Sequence, residues 1–319
     1  MEIKLKEFLY SYCIHKLGGF MFQDYLFFGV DTKVYYSYRM LHLSHLVEEA
    51  KNLHNLNNNR ALLLSDTLLG SVLLSSILDY EERINLRIHC GSDFTIGTET
   101  SYLAETRGYI ECNEESEIVK QIDLGNNIIP ELQIRSMRSQ RKKSTLSEGH
   151  TVSKLNSIEQ ALNDHLSSSY QMNTYLKISS WVNENDGKIN AFGVIYQELP
   201  DIPESVSEKL KNHIASLPSM KDLYLLNSDA DVLSKKLIPD ETKAVKSLNP
   251  KFVCSCSQER VESVLVTLPM EDLSDIIKKS EDLEMKCHYC NRNYIVGMNK
   301  ISQIYASRSN VNSESSEMN

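Results

Sequence analysis

Between Tyr25 and Met40 the chain reads "YLFFGVDTKVYYSYRM", an alternation of aromatic and branched residues that predicts two strands around a turn at Asp31. The period then changes. In "HLSHLVEEAKNLHNL", Leu43, Leu46, Val47 and Leu53 recur at helical spacing, and after the polar "NNNR" an apolar run from Ala61 to Leu78 predicts a buried helix. "RINLRIHC" alternates Ile84, Leu86 and Ile88 with polar neighbours, which is the signature of a half-buried strand, and "TETSYLAETRGYIEC" continues as strand around Gly108. Ile158, Ala161, Leu162 and His165 mark another helix. "NTYLKISSWV" and "INAFGVIYQEL" then flank the turn signal "NENDGK", which predicts a hairpin. Hairpins and helices in this order predict an α+β fold with an antiparallel sheet, not a βαβ array.

Past Pro200 and Pro203 the pattern thins. "ESVSEKLKNHIASL" carries one narrow apolar stripe, Val206, Leu210, Ile214 and Leu217, and "DADVLSKKLI" predicts a second short helix before Pro239. This polar, helical stretch reads as a linker docked through that stripe. Farther on, Ser257 is a helix N-cap ahead of Val261, Val264, Leu265 and Leu268. A second helix presents Leu273, Ile276 and Ile277, and "LEMKCHYCNRNYIVG" reads as strand, knuckle, strand. The final "ASRSNVNSESSEMN" reads as a disordered tail. There is no internal repeat.

Composition narrows the classes. Of 319 residues, 34 are Lys or Arg and 43 Asp or Glu, for a net charge of −9, which argues against affinity resting on phosphate neutralisation. Ile134–His150 is the least foldable stretch, and five basic residues crowd Arg135–Lys143 within it. With no aromatic for base stacking, the run reads as a solvated loop or basic strand edge, with nucleic-acid binding as the rival. Charges at Glu2, Glu7 and Lys16 break any export signal, and Asp66 with several serines argues against a membrane span over Ala61–Leu78; a cytoplasmic protein is expected. No Walker loop, Gly-x-Gly-x-x-Gly or His-Glu-x-x-His motif supports an enzyme.

The chemistry lies in the cysteines. Three of seven, Cys13, Cys90 and Cys112, stand singly and read as small buried apolar residues. The other four form Cys254-x-Cys256 and Cys287-x-x-Cys290, and four thiolates complete the tetrahedral shell of a Zn²⁺ ion with no open position. So short a module holds little core, and the metal is expected to stabilise it. A purely structural zinc ribbon is one reading. A redox switch is another: each pair is close enough to form its own disulfide, Cys254–Cys256 and Cys287–Cys290, once metal leaves. A thioredoxin-like site at Cys287–Cys290 fits poorly, because strand-like residues follow it where a helix is needed.

"VCSCSQERVESVLVTLP" followed by "EMKCHYC" and "NYIVG" closely resembles the zinc-binding region of the heat-shock protein 33 family of redox-regulated holdase chaperones. Cys254, Cys256, Ser257, Glu259, Arg260, Cys287, Cys290 and Tyr294 all match the family pattern. "LLGSVLLSSIL" before "RINLRIHC", "RGYIE" and the strand pair ending in "QELP" resemble the family's core. "HCGSDFTIG" and "RSMRSQRKKSTL" depart from it. The resemblance implies an α+β core over 1–203 with an antiparallel sheet and packed helices. It further implies a helical linker over 204–245 and a small zinc-binding switch domain over 246–300, leaving a tail over 301–319. It implies one zinc per chain when reduced and inactive. Oxidation would form the two near-neighbour disulfides, expel zinc and expose surface for unfolding client proteins. The active form would be a homodimer that hands clients to ATP-dependent foldases, with no part for nucleic acid, membrane or catalysis. A zinc-ribbon nucleic-acid-binding protein with a structural Cys₄ site is the alternative.

Overall fold

The aromatic run folds as β1 (Tyr25–Asp31) and β2 (Tyr36–Leu43), joined at Asp31, whose carboxylate accepts the N–H groups of Lys33 and Tyr36 at 3.0 Å each. These strands belong to a computed structural model that describes residues 24–126, 129–140, 143–169, 173–279 and 281–316. The chain divides into two units, with the boundary between Val253 and Cys254.

In the first unit, one antiparallel sheet has the order β10 (Thr242–Leu248), β1, β2, β9 (Ile189–Glu198), β8 (Thr174–Val182). A second sheet has the order β11 (Lys251–Phe252), β5 (Glu105–Cys112), β4 (Phe94–Ser101), β3 (Glu82–Cys90), β6 (Leu132–Gln140), β7 (Lys143–Ser153). Its strands pair antiparallel, except that β11 runs parallel to β5. The helices are α1 (His45–His54), α2 (Asn58–Ser75), α3 (Glu117–Asp123) and α4 (Ile158–Ser169). This is the α+β core that the hydrophobic pattern predicts.

Helix α2 is the apolar run, begun three residues earlier than the pattern suggested because Asn57 caps it, accepting the N–H of Arg60 at 2.9 Å. It touches strands of both sheets, which is why it is buried nearly all round and shows little amphipathicity. Gly70 lets it approach α4: a Cβ there would lie 2.3 Å from Leu162 Cδ1. No helix among the described residues is long and apolar enough to cross a membrane.

Asp66 on α2 lies beside Ser180, whose hydroxyl donates to the carbonyl of Leu62 at 3.1 Å, and its own Oδ1 is shielded and has no hydrogen-bond partner. Burial, with some help from Glu159, pushes its carboxyl up to about 7. The folded state therefore holds this proton more tightly than the unfolded chain, and stability falls as pH rises from about 4 to about 7. Asp66→Asn is expected to remove that slope and to stabilise the core at pH 8 by up to roughly 4 kcal/mol. Urea denaturation at pH 5.5 and 8 checks this. An unchanged difference between the two pH values in the variant would exclude Asp66 as its source.

The expected linker is a layer of the first unit. Helices α5 (Glu204–Ser216), α6 (Met220–Leu226) and α7 (Ala230–Leu237) cover the face of the first sheet opposite α2. Leu210, Leu233 and Leu237 are fully buried against Tyr36, Tyr38, Phe192 and Tyr196. Strand β9, covered on both faces, is accordingly buried along almost its whole length. Residues 246–253, expected in the zinc-binding domain, lie in the first unit, where β10 pairs with β1 and β11 with β5.

The second unit holds α8 (Gln258–Leu265), α9 (Met270–Lys279), β12 (Leu283–Lys286), β13 (Asn293–Val296) and α10 (Met298–Ser316). Its buried core is Leu265, Leu273, Val296, Ile301 and Ile304. Val264, placed on the inward stripe, is 48% exposed. The expected disordered tail from 301 is helical through Ser316, because Ile301 and Ile304 complete this small core and Arg308 donates to the carbonyl of Leu268 at 2.5 Å. The Ser- and Asn-rich composition of the last residues had masked that pair.

Candidate metal centre

The two cysteine pairs come from different local structures. Cys254 and Cys256 lie in the extended segment just ahead of α8, where Ser257 caps the helix by accepting the N–H of Arg260 at 3.3 Å. Arg260 reaches back, and its guanidinium donates to the carbonyl of Ser255 at 2.8 Å and to the Ser255 hydroxyl. The single residue between the cysteines is thus held by the helix that follows them. Cys287 and Cys290 sit in the tight turn between β12 and β13. Cys287 N–H donates to Arg292 at 2.9 Å, and Asn291, in the left-handed region at φ 60°, donates to the Cys287 carbonyl at 2.8 Å. Asparagine tolerates that conformation better than most residues.

These elements bring all four Sγ atoms within 4.8 Å of one another. Cys254 and Cys287 are 3.7 Å apart, and Cys256 and Cys290 3.3 Å. Four sulfurs at the usual Zn–S distance of about 2.3 Å would stand about 3.8 Å apart at the corners of a tetrahedron. The donor set and spacing fit such an ion, and His288, the nearest competitor in sequence, is exposed and outside the cluster.

The sulfurs differ. Burial works against ionising Cys256, but the Tyr294 hydroxyl, donating to its sulfur at 2.9 Å, and the neighbouring thiols outweigh it and hold Cys256 at about 7. Burial raises Cys287 and Cys290 above the ordinary thiol range. Cys256 is therefore a readier thiolate than Cys287 or Cys290 in the absence of metal, and a cation would bring those two to the same state. The Tyr294 contact was not read from the sequence. The signal is the alternation of β13, in which Tyr294 and Val296 are buried and Ile295 is exposed.

The remaining candidates lie elsewhere. Cys90 is buried and Cys112 half-buried, and burial pushes both thiols up to about 11, so neither is a ready nucleophile. Cys13 is outside the described residues. Leu210 and Ile214 are buried under the first sheet's aromatic face, and Val206 and Leu217 pack partly buried against the same cluster. The described residues of the basic stretch, 135–140 and 143, are strand, the second of the two expected forms. Arg135 pairs with Glu148 and Arg138 with Glu82 at 2.7 Å, while Arg141 and Lys142 fall outside the described residues. Two of its charges are thus met by carboxylates, which weakens the nucleic-acid alternative.

Comparison with known proteins agrees with this architecture. A 33 kDa chaperonin of Caldanaerobacter subterraneus subsp. tengcongensis is 32% identical over 117 residues, 36% of this chain and 40% of that protein. One from a Geobacillus species is 22% identical over 274 residues, 81% of this chain and 89% of that protein. The crystal structure of a 33 kDa chaperonin, a heat shock protein 33 homologue from Thermotoga maritima, shares the fold. It has a TM-score of 0.76 at 20% identity, covering 91% of this chain and 100% of that one. The family model described as Hsp33 protein matches residues 24–297, from the first described strand through all four clustered cysteines. The chain belongs to the Hsp33 protein family.

Proposed function

We propose that this chain is an ATP-independent holdase chaperone whose activity is switched by oxidation of Cys254, Cys256, Cys287 and Cys290. The observation that carries the reading is the gathering of four sulfurs within 4.8 Å in a unit whose hydrophobic core, among the described residues, is a cluster of five buried side chains. Reduced, the four thiolates would hold one zinc ion, which supplies the cross-link that so small a core lacks. Oxidised, the cysteines pair as Cys254–Cys256 and Cys287–Cys290, zinc is lost, and the unit unfolds.

Connectivity bears on this directly. In the folded unit the close contacts join the two segments, Cys254 with Cys287 and Cys256 with Cys290. Disulfides along those contacts would close long loops and staple the unit shut. Near-neighbour disulfides leave the two segments free of each other, and opening requires that. Once the unit opens, the helical layer over 204–237 loosens and bares the aromatic face it covers to unfolding proteins. The oxidised form acts as a cytoplasmic homodimer and passes clients to ATP-dependent foldases.

The test is a parallel time course, under mild oxidation of the reduced, zinc-loaded chain, of zinc release, free thiols and light scattering by a thermally unfolding client. Zinc release, loss of four thiols and suppression of aggregation are expected together, with near-neighbour disulfides found by peptide mapping. Full activity before oxidation, or cross-segment disulfides in the active form, would refute the switch.

A further inference from the structure

Away from the cysteines, a cavity of about 880 Å³ opens in the first unit where the start of α1, the β8–β9 turn and α6 come together. That volume falls within the roughly 300–1,000 Å³ of ligand-sized pockets. Its aromatic wall is His42 from β2, Trp181 from β8 and Tyr224 from α6. The rings fix one another: Tyr224 stacks on His42 with centres 4.9 Å apart and planes 1° apart, and Trp181 meets Tyr224 at 5.5 Å and 54°.

The charged lining is mainly acidic, with Glu48, Glu49 and Asp186 against Lys188. Glu48 is engaged, accepting the N–H of Ile189 at 2.5 Å with Lys51 at 3.8 Å. Glu49 and Asp186 are exposed. Buried Asp24, whose carboxylate takes the backbone N–H groups of Ser44, His45 and Leu46, adds negative potential beside Glu49. Tryptophan and tyrosine rings attract cations through their quadrupoles, and carboxylates at the same mouth select for positive charge. Leu225 also lines the cavity, and with Leu226 it stands mostly exposed, at 62% and 71%, which offers apolar footing to residues flanking a cation. That combination favours a cation carried by a chain over a free one.

We propose that this cavity binds an arginine or lysine side chain of an extended polypeptide, its stem against Trp181 and Tyr224 and its charge facing Glu49 and Asp186. The proposal takes from the chaperone reading only the kind of partner; the cavity uses none of the redox residues. Because Tyr224 belongs to α6, an occupied cavity also ties that helix to the β8–β9 hairpin.

Trp181 is the only tryptophan in the chain, so its emission reports on the cavity. The reduced, zinc-loaded full chain is titrated with acetyl-Leu-Arg-Leu-amide and with the same peptide carrying neutral citrulline for arginine, and calorimetry supplies a second measurement independent of fluorescence. Saturable binding of the arginine peptide is expected, roughly tenfold weaker for citrulline. Glu49→Gln with Asp186→Asn should weaken it by a similar factor, with the melting temperature and zinc content unchanged. Lys188→Gln, which removes the opposing ammonium, should tighten it, and this variant keeps the test decisive if the double variant is unstable. Equal binding of the two peptides, or no saturable binding by either measurement, overturns the proposal. Spermidine binding more tightly than the arginine peptide would reassign the cavity to a free polyamine and also overturn it. Since no client or oxidant is present, failure here leaves the redox reading to stand or fall on its own time course.

Discussion

Cys287→Ser is expected to unfold residues 254–316 while the two sheets and α2 of the first unit stay folded. A structural zinc site contributes roughly 10–16 kcal/mol of apparent binding free energy near pH 7, and removing one thiolate of four takes away most of it. Little remains to hold the unit. Each side chain of its five-residue buried cluster contributes roughly 1.5–3 kcal/mol, while ordering every residue's backbone costs roughly 1–2 kcal/mol. The first unit has no such dependence, because its core spans two sheets and α2. Hydrogen exchange should therefore show fast exchange through α8, α9 and α10, with protection retained in β3, β4 and β9. Limited proteolysis should accumulate a fragment ending near Val253, where the two units divide. Chelation of the unaltered chain at low redox potential should give the same pattern. Should Cys287→Ser keep both its protection and its protease resistance, the hydrophobic core alone holds the unit and the metal is dispensable for folding.

The second large effect is expected from Leu210→Asp, which should make the reduced, zinc-loaded chain suppress aggregation without any oxidant. Leu210 is fully buried between α5 and the aromatic face of the first sheet. An aspartate there must desolvate a charge with no partner, a cost of several kcal/mol that the remaining contacts of a thin helical layer cannot offset. The polar contacts among them are specific. Tyr196 donates to the carbonyl of Leu237 at 2.6 Å, Ser207 to the buried Glu198 at 2.6 Å, and Lys209 pairs with Asp240. Undocking uncovers Tyr36, Tyr38, Phe192 and Tyr196 together, a contiguous apolar surface of the kind that binds other exposed apolar surface. Leu233→Asp on α7 should act alike, and Leu210→Ala, which leaves a cavity worth roughly 2–5 kcal/mol, should give partial activity. Hydrogen exchange over 204–237 shows whether the layer has come away. A variant with that layer exchanging freely and no effect on client scattering would mean that the aromatic face is not the client surface.

The features legible in the sequence were those with a local cause. Strand β3 could be read because Ile84, Leu86 and Ile88 alternate in any sheet, and the β8–β9 hairpin because "NENDGK" favours a turn wherever it stands. Helix α8 carried its own cap in Ser257. The gathering of the cysteines was legible for a chemical reason: two close cysteine pairs supply the four sulfurs that would complete a tetrahedral shell, and the fold brings those four together. Tertiary structure decided what depends on neighbours remote in the chain. Arg138 is neutralised by Glu82, and Tyr294 reaches Cys256, only because strands and loops distant in sequence are placed side by side. The stripe over Val206–Leu217 announced that a helix would dock, but its partner was the far face of a sheet already covered by α2. Ile301 and Ile304 fall in the expected tail over 301–319, and only Leu265, Leu273 and Val296, brought from elsewhere in the unit, give them a core to join. Periodicity records which side of an element turns from water; what it turns toward is settled by the sum of many weak contacts, each drawn from a different part of the chain.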